Sequence, residues 1–202
     1  MGNWNDRLFL VINASDHPAA AVVTAANFVA ADVIFMVAVL FVALWVWGKP
    51  ERRDGLVASA CATALALAAN QALGLIWYEP RPFMIGLGHT FAEHAVENSF
   101  PSDHATFMFT AGLSLIITGA ARRWGVLVTL AGVAVAWARI YLGLHFPLDM
   151  ASSAMIALVF SLLAVPLEYA AGRTVIPIGN RLYDATLNAL RLPKSLFPRK
   201  PE

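Results

Sequence analysis

The feature that most constrains this chain is a succession of apolar runs, each about 20 residues long, separated by short polar turns. Backbone groups in hydrocarbon find no water to bond, so such runs become helices that satisfy their own N–H and C=O groups. The composition agrees. Of 202 residues 59% are apolar and only 13% charged, about half the charged share of a soluble domain, and the mean hydropathy is +0.65. A soluble globular domain is excluded. The expected fold is all-α: a polytopic membrane helix bundle of about five transmembrane helices plus an N-terminal interfacial helix, in a single domain over residues 1–202.

Residues 8–18, with Asn13, Asp16, His17 and Pro18, suit a helix lying at the interface. The first span ends at Trp45, Val46 and Trp47 and begins between Ala19 and Ala30. It contains Asp32, and an ionisable residue within a span is a site candidate by default; the alternative is an interfacial residue at a helix break. The second span, residues 56–78, is rich in alanine, which lets helices approach closely and predicts a central place in the bundle. The third, fourth and fifth cover residues 102–121, 124–142 and 147–170, with Pro166 as the expected kink. The loop 79–101 is the longest polar connection and holds Glu79, Arg81, His89, Glu93, His94 and Glu97; long ordered loops tend to carry function. The tail, residues 172–202, is basic, and Leu182, Ala185, Ala189 and Leu190 suit a short amphipathic helix on the membrane surface. Cys61 is the single cysteine, so no intramolecular disulfide is possible. Residues 1–7 lack the basic start and short apolar core of a signal peptide, and none is expected.

Charge orients the bundle. The 49–55 hinge, the 122–123 turn and the tail carry Lys49, Arg52, Arg53, Arg122, Arg123, Arg173, Arg181, Arg191, Lys194, Arg199 and Lys200, which is 11 of the 14 Lys and Arg. The positive-inside rule puts that side in the cytoplasm. The N-terminus, the 79–101 loop and the 143–146 turn then face outward, and three polar clusters land together on that face.

Each cluster has chemistry of its own. Pro101 precedes Ser102 and an apolar helix follows, which makes Ser102 a natural N-cap. The free amides of that first turn, Asp103 among them, can bind an anion, and His104 sits in the same turn. Arg139 lies near the outer end of the fourth span, where a cation is costly unless paired or in a wet cavity. His145 and Asp149 stand four residues apart around Pro147. That spacing lets the carboxylate bond one imidazole nitrogen and leaves the other as a nucleophile or base. Arg81, between Pro80 and Pro82, is on a rigid turn. Two arginines, a helix N-terminus, two histidines and an aspartate compose a phosphate site with a nucleophile and an acid. Glu79 is a candidate ion-pair partner for Arg81, and Glu93, His94 and Glu97 are candidate accessory residues that either touch the substrate head or form a solvated loop face.

Arg81-Pro82, Pro101-Ser102-Asp103-His104, and Arg139 followed by His145 and Asp149 resemble the three signature motifs of the type 2 phosphatidic acid phosphatase superfamily. The wording of residues 98–104 and 136–149 is similar to the bacitracin-resistance type of undecaprenyl-diphosphate phosphatase, found in the bacterial inner membrane. Two positions depart from the family pattern. Gly74 stands where the first motif has lysine, and Ala138 where the third begins with serine. The resemblance implies that His145 attacks phosphorus, Asp149 orients it, and His104 protonates the leaving oxygen and then activates water. It implies that Arg81, Arg139, Ser102 and the amide of Asp103 hold the phosphoryl oxygens, with no metal and no cofactor. The implied reaction converts undecaprenyl diphosphate to undecaprenyl phosphate and phosphate, recycling a carrier lipid for cell-wall synthesis. The implied location is the bacterial inner membrane, with the site facing the periplasm and the C-terminus in the cytoplasm. The expected partners are a polyprenyl diphosphate and membrane lipids, with no nucleic acid; the oligomeric state is open. The alternatives are a phosphatase for another lipid phosphate (phosphatidate, phosphatidylglycerol phosphate) or a lipid phosphotransferase. A non-catalytic lipid carrier is a further class, but it has no need of His145, Asp149 and two outward arginines together.

Overall fold

The computed structural model describes residues 4–193 and 196–198, and these residues form helices and no strands. In chain order they are α1 (Trp4–Ile12), α2 (Ala20–Ala31), α3 (Val33–Trp47), α4 (Arg53–Ile76), α5 (Asp103–Ile117), α6 (Arg122–Tyr141), α7 (Pro147–Leu162), α8 (Ala164–Arg173) and α9 (Val175–Ala189), with short 3-10 turns at Pro50–Arg52 and Pro82–Ile85. The chain is a membrane helical bundle. Residues Pro50–Ile76, Arg122–Tyr141 and Pro147–Arg173 are each long and apolar enough to cross a membrane, and α2 with α3, bent by 43°, are long and apolar enough together.

The third expected span is α5, and it is shorter than its apolar run suggests. Its 15 residues rise roughly 22 Å, short of the ~30 Å hydrocarbon core. α4, with 24 residues, outruns it by roughly 14 Å. The loop before α5 therefore dips between its neighbours, and Asn98 lies against the last turn of α4 at Gly74. α5 packs on α4, α6 and α7 at the centre of the bundle. Its crossing with α6 is close because Gly112 and Gly125 face each other: a Cβ on Gly125 would lie 2.7 Å from the Gly112 carbonyl oxygen. Small residues at such a crossing let the backbones touch.

Two spans break, for different reasons. Pro166 has no N–H to give Leu162, and its ring crowds that carbonyl; the helix accordingly breaks at Leu163, between α7 and α8. The break between α2 and α3 falls at Asp32 without a proline. Asp32 N–H still bonds the Phe28 carbonyl, and the Asp32 carbonyl accepts from Phe35 N–H.

α1 lies across the end of the bundle that carries the α6–α7 turn. Phe9 is buried against Phe146, with ring centroids 5.4 Å apart, and Asn13 Nδ2 donates to the carbonyls of His89 (2.9 Å) and Tyr141 (3.0 Å). At the other end α9 docks through Asn180, Tyr183 and Leu187 rather than through the residues the sequence pattern singles out. Leu182, Ala185, Ala189 and Leu190 face outward, so the helix has one face on the protein and an apolar face left for lipid. Arg53 is the anchor. It is buried, donates to Asn180 Oδ1 at 2.7 Å and to the Trp45 carbonyl at 3.2 Å, and lies over the rings of Tyr183 and Trp45. The tail residues Lys194, Arg199 and Lys200 lie outside the described residues.

Candidate active site

The α6–α7 turn carries His145. Gly143 makes that turn possible: it adopts φ +82°, and a Cβ there would lie 2.3 Å from the His89 carbonyl oxygen. One turn later, the carboxylate of Asp149 accepts from Phe146 N–H at 2.9 Å, closing the start of α7. The same oxygen, Oδ2, lies 3.2 Å from His145 Nδ1 and accepts from Ser99 Oγ at 2.5 Å. All three residues are buried.

The other imidazole nitrogen fixes the tautomer. His145 Nε2 is 2.9 Å from Arg81 Nη1 and 3.4 Å from Arg139 Nη2. A guanidinium only donates, so Nε2 accepts and the proton resides on Nδ1, toward Asp149. Burial first, then the fields of Arg139 and Arg81, hold the imidazole well below its ordinary pKa. His145 is thus a neutral base at pH 7, with its Nε2 lone pair between two cations.

Both guanidiniums are held from behind. Arg81 Nη1 also donates to the Leu144 carbonyl at 3.0 Å. Arg139 Nη1 donates at 3.2 Å to the Ala30 carbonyl, at the end of α2 beside the helix break. Both arginines keep a buried Nε with no acceptor among the described residues. From the loop, Glu97 Oε1 accepts from Arg81 Nη2 at 3.2 Å, and His94 Nε2 lies 3.1 Å from Arg139 Nη2. Burial lowers the pKa of Arg81 against the raising influence of Glu97. Burial and then Arg81 lower that of His94.

These groups line a cavity of about 300 Å³ together with Asp103, His104, Asn70, Gln71, Gly74 and Asn98. The Asp103 carboxylate accepts from Asn70 Nδ2 (3.0 Å) and Gln71 Nε2 (2.8 Å), at the N-terminus of α5 where the helix dipole favours an anion. At Gly74 a Cβ would meet Asn98 Nδ2 at 3.1 Å. Asn98 is itself fixed, donating to the carbonyls of Phe100 (2.7 Å) and Trp77 (3.0 Å) and accepting from Glu79 N–H (2.8 Å). An amide thus fills the space beside the position where the family pattern has lysine. No group of three or more His, Cys, Asp or Glu among the described residues is placed to hold a metal ion.

Most of the predicted residues converge: Arg81, Asp103, His104, Arg139, His145 and Glu97 line the cavity, with Asp149 directly behind His145. Four do not. Ser102 is fully buried and outside the cavity wall; its hydroxyl caps α5, accepting from Ala105 N–H at 3.5 Å, and its N–H donates to Ser153 Oγ at 2.9 Å. Asp32 is exposed at the helix break and outside the cavity. Glu79 is not the partner of Arg81: the ion pair forms with Glu97, while the Glu79 backbone is tied to the other arm of the loop, its carbonyl accepting from Ser99 N–H. Glu93 points to solvent. Sequence reasoning missed Ser99 and Ser153. Ser99 had a signal, a small hydroxyl residue directly before the Phe100-Pro101 step; Ser153 had its spacing four residues after Asp149.

Several known proteins resemble this chain. Residues 55–173 match the PAP2 superfamily. The chain is 40% identical over 149 residues, 73% of its own length and 74% of the relative's, to YbjG of Escherichia coli (strain K12), whose name assigns it provisionally as an undecaprenyl-diphosphatase. It is 25% identical over 186 residues to undecaprenyl-diphosphatase BcrC of Bacillus subtilis (strain 168), covering 92% of this chain and 95% of that one. The crystal structure of Aquifex aeolicus LpxE shares the fold, with a TM-score of 0.66 at 22% identity over 82% of this chain and 96% of that one. A match over more than half its length, and a relative this similar, make the chain a member of the PAP2 superfamily.

Proposed function

We propose that this chain is a membrane lipid phosphatase that hydrolyses undecaprenyl diphosphate to undecaprenyl phosphate and inorganic phosphate through a phosphohistidine. The observation that carries the reading is the unprotonated Nε2 of His145, set between two guanidiniums and backed at Nδ1 by Asp149. Nε2 attacks the terminal phosphorus. A P–N bond forms, the bridging P–O bond breaks, and undecaprenyl phosphate departs with the electron pair. That leaving group is itself a phosphate, with a second pKa near 6, so it needs little protonation from His104. Water then attacks the phosphohistidine, His104 takes its proton, and the P–N electrons return to Nε2. Arg81 and Arg139 neutralise charge on the equatorial oxygens, which is most of what phosphoryl transfer requires.

The incoming phosphate must displace Glu97 from Arg81 and His94 from Arg139, since both occupy donors that the phosphoryl oxygens need. A lipid substrate is supported by an apolar crevice of about 320 Å³ between α3, α4 and α5, lined by Phe41, Ala60, Ala64, Leu67 and Phe107 among others. Ala60, Ala64, Leu67, Gln71 and Gly74 recur at helical spacing, so one face of α4 serves crevice and cavity in turn. The names of the two bacterial relatives supply the prenyl diphosphate. The charge asymmetry supports a periplasmic site and a cytoplasmic C-terminus, and the substrate in the relatives' names supports a place in recycling the carrier lipid of cell-wall synthesis.

The test is phosphate release from undecaprenyl diphosphate by purified protein with EDTA present, for wild type and His145→Ala. Release that the substitution abolishes, with acid-labile label on the wild-type protein, is expected. Cleavage of phosphatidate alone would overturn the substrate, transfer of label to a second lipid would overturn hydrolysis, and full activity of His145→Ala would overturn the nucleophile.

A further inference from the structure

A larger cavity, about 730 Å³, opens at the end of the bundle remote from the catalytic pocket. It lies between the end of α3, the start of α4 and the α5–α6 turn, and its lining includes Lys49, Arg52, Arg122, Arg123 and Trp124. The four cations are exposed. Among the described residues none ion-pairs with a carboxylate, and no acidic residue lines the cavity.

Two of these cations defy their local setting. Arg122 and Arg123 occupy the first turn of α6, whose N-cap Ala121 offers no side-chain hydrogen bond. A helix N-terminus carries roughly half a positive charge, so two arginines there repel the dipole and each other. Local conflicts of that kind are kept where a ligand resolves them. Lys49 and Arg52 face them across the cavity and add to the same field.

The surroundings say which anion fits. Trp47 and Trp124, both exposed, lie at the end of α3 and the start of α6, and aromatic residues at the ends of spans collect beside headgroups. Below Arg123 on α6, Leu127 and Leu130 recur at i+4 and i+7 and are 55% and 61% exposed. A cationic bowl thus sits above a bare apolar ridge on one helix face. A soluble anion has no use for the ridge; an acyl chain does. We infer that this cavity binds the phosphodiester headgroup of an anionic glycerophospholipid, with an acyl chain lying along Leu127 and Leu130. The inference rests on the bundle spanning a membrane and not on the proposed reaction.

The full chain in detergent would be titrated with phosphatidylglycerol and with phosphatidylcholine of the same acyl chains, and bound lipids counted by native mass spectrometry. Wild type is expected to take the first phosphatidylglycerol preferentially. Arg122→Gln with Arg123→Gln is expected to weaken it roughly 10- to 30-fold without changing phosphatidylcholine binding. Arg122→Lys with Arg123→Lys should keep most of the preference, and Arg181→Gln, outside the cavity, all of it. If the glutamine pair fails to fold, Lys49→Gln with Arg52→Gln interrogates the opposite wall. Equal binding of the two lipids by wild type would overturn the inference. So would an undiminished preference in the folded glutamine variants, or displacement of the lipid by millimolar inorganic phosphate. None of these readouts involves turnover, so failure here leaves the phosphatase reading untouched, and the reverse holds as well.

Discussion

At His145 the question that decides reactivity is which nitrogen carries the proton, and two arginines answer it by offering only donors to Nε2. The imidazole is held neutral, its pKa well below the usual 6.5. The sign follows: as pH falls through 6.5 the folded protein stays unprotonated there while the unfolded chain takes up a proton. kcat/KM is therefore expected to stay flat through pH 6.5 and to fall only at lower pH, while thermal stability begins to decline below 6.5. An acid limb at or above 6.5 in the pH–rate profile would refute this. Glu97 makes a different prediction. Its carboxylate competes with substrate for Arg81 from a half-exposed side chain, where such a pair is worth about 0.2–1 kcal/mol. Glu97→Gln is expected to lower KM up to about fivefold with kcat nearly unchanged. A raised KM would mean that Glu97 holds substrate instead. The choice of Glu97 over Glu79 as the partner of Arg81 also shows where sequence reading stops. Glu79 is two residues away and Glu97 sixteen, and only the loop clamp through Asn98 decides between them.

Among the elements, the turn from α6 to α7 is the least tolerant. Gly143 combines a left-handed backbone with a Cβ position already occupied by the His89 carbonyl. Gly143→Ala is expected to cost about 1–3 kcal/mol, seen as a lower Tm, and to depress kcat because the displaced turn carries His145. An unchanged Tm and kcat would show that the turn relaxes freely. The helix boundaries divide by how loudly their causes speak. Pro166 announces the break at Leu163, next to the Leu162 carbonyl that it deprives of a donor four residues upstream of itself. The break at Asp32 has no proline to announce it; a charged residue in an apolar run reads either as a site candidate or as an interfacial residue at a helix break, and the second holds in that the helix breaks there. Its observed consequence is indirect, in that the Ala30 carbonyl beside the break holds Arg139. The brevity of α5 was hidden, because the apolar run continues through Ile117 into Gly119, Ala120 and Ala121, and only the chain reversal before α6 ends the helix.

For the molecule as a whole, pattern and charge made the bundle legible: the apolar runs give the crossings, and the three motifs meet in one cavity. Sidedness is the prediction that belongs at this scale. With the protein in bacterial cells, Val96→Cys in the outer loop is expected to react with a membrane-impermeant maleimide in intact cells, and Arg123→Cys only after lysis. The variants would be made on a Cys61→Ala background, since Cys61 is exposed. The opposite pattern would invert the bundle. One last consequence concerns time rather than geometry. Arg53 is buried between Trp45 on one side and Asn180, Tyr183 and Pro198 on the other, and Asn180 lies 127 residues later in the chain. At ordinary rates of synthesis Asn180 follows by roughly 6–25 s. Through that interval the second crossing begins in a cation that has no cover from α9. The last helix is therefore also the last to be made: the end of the bundle remote from the cavity closes only after α9 has left the ribosome.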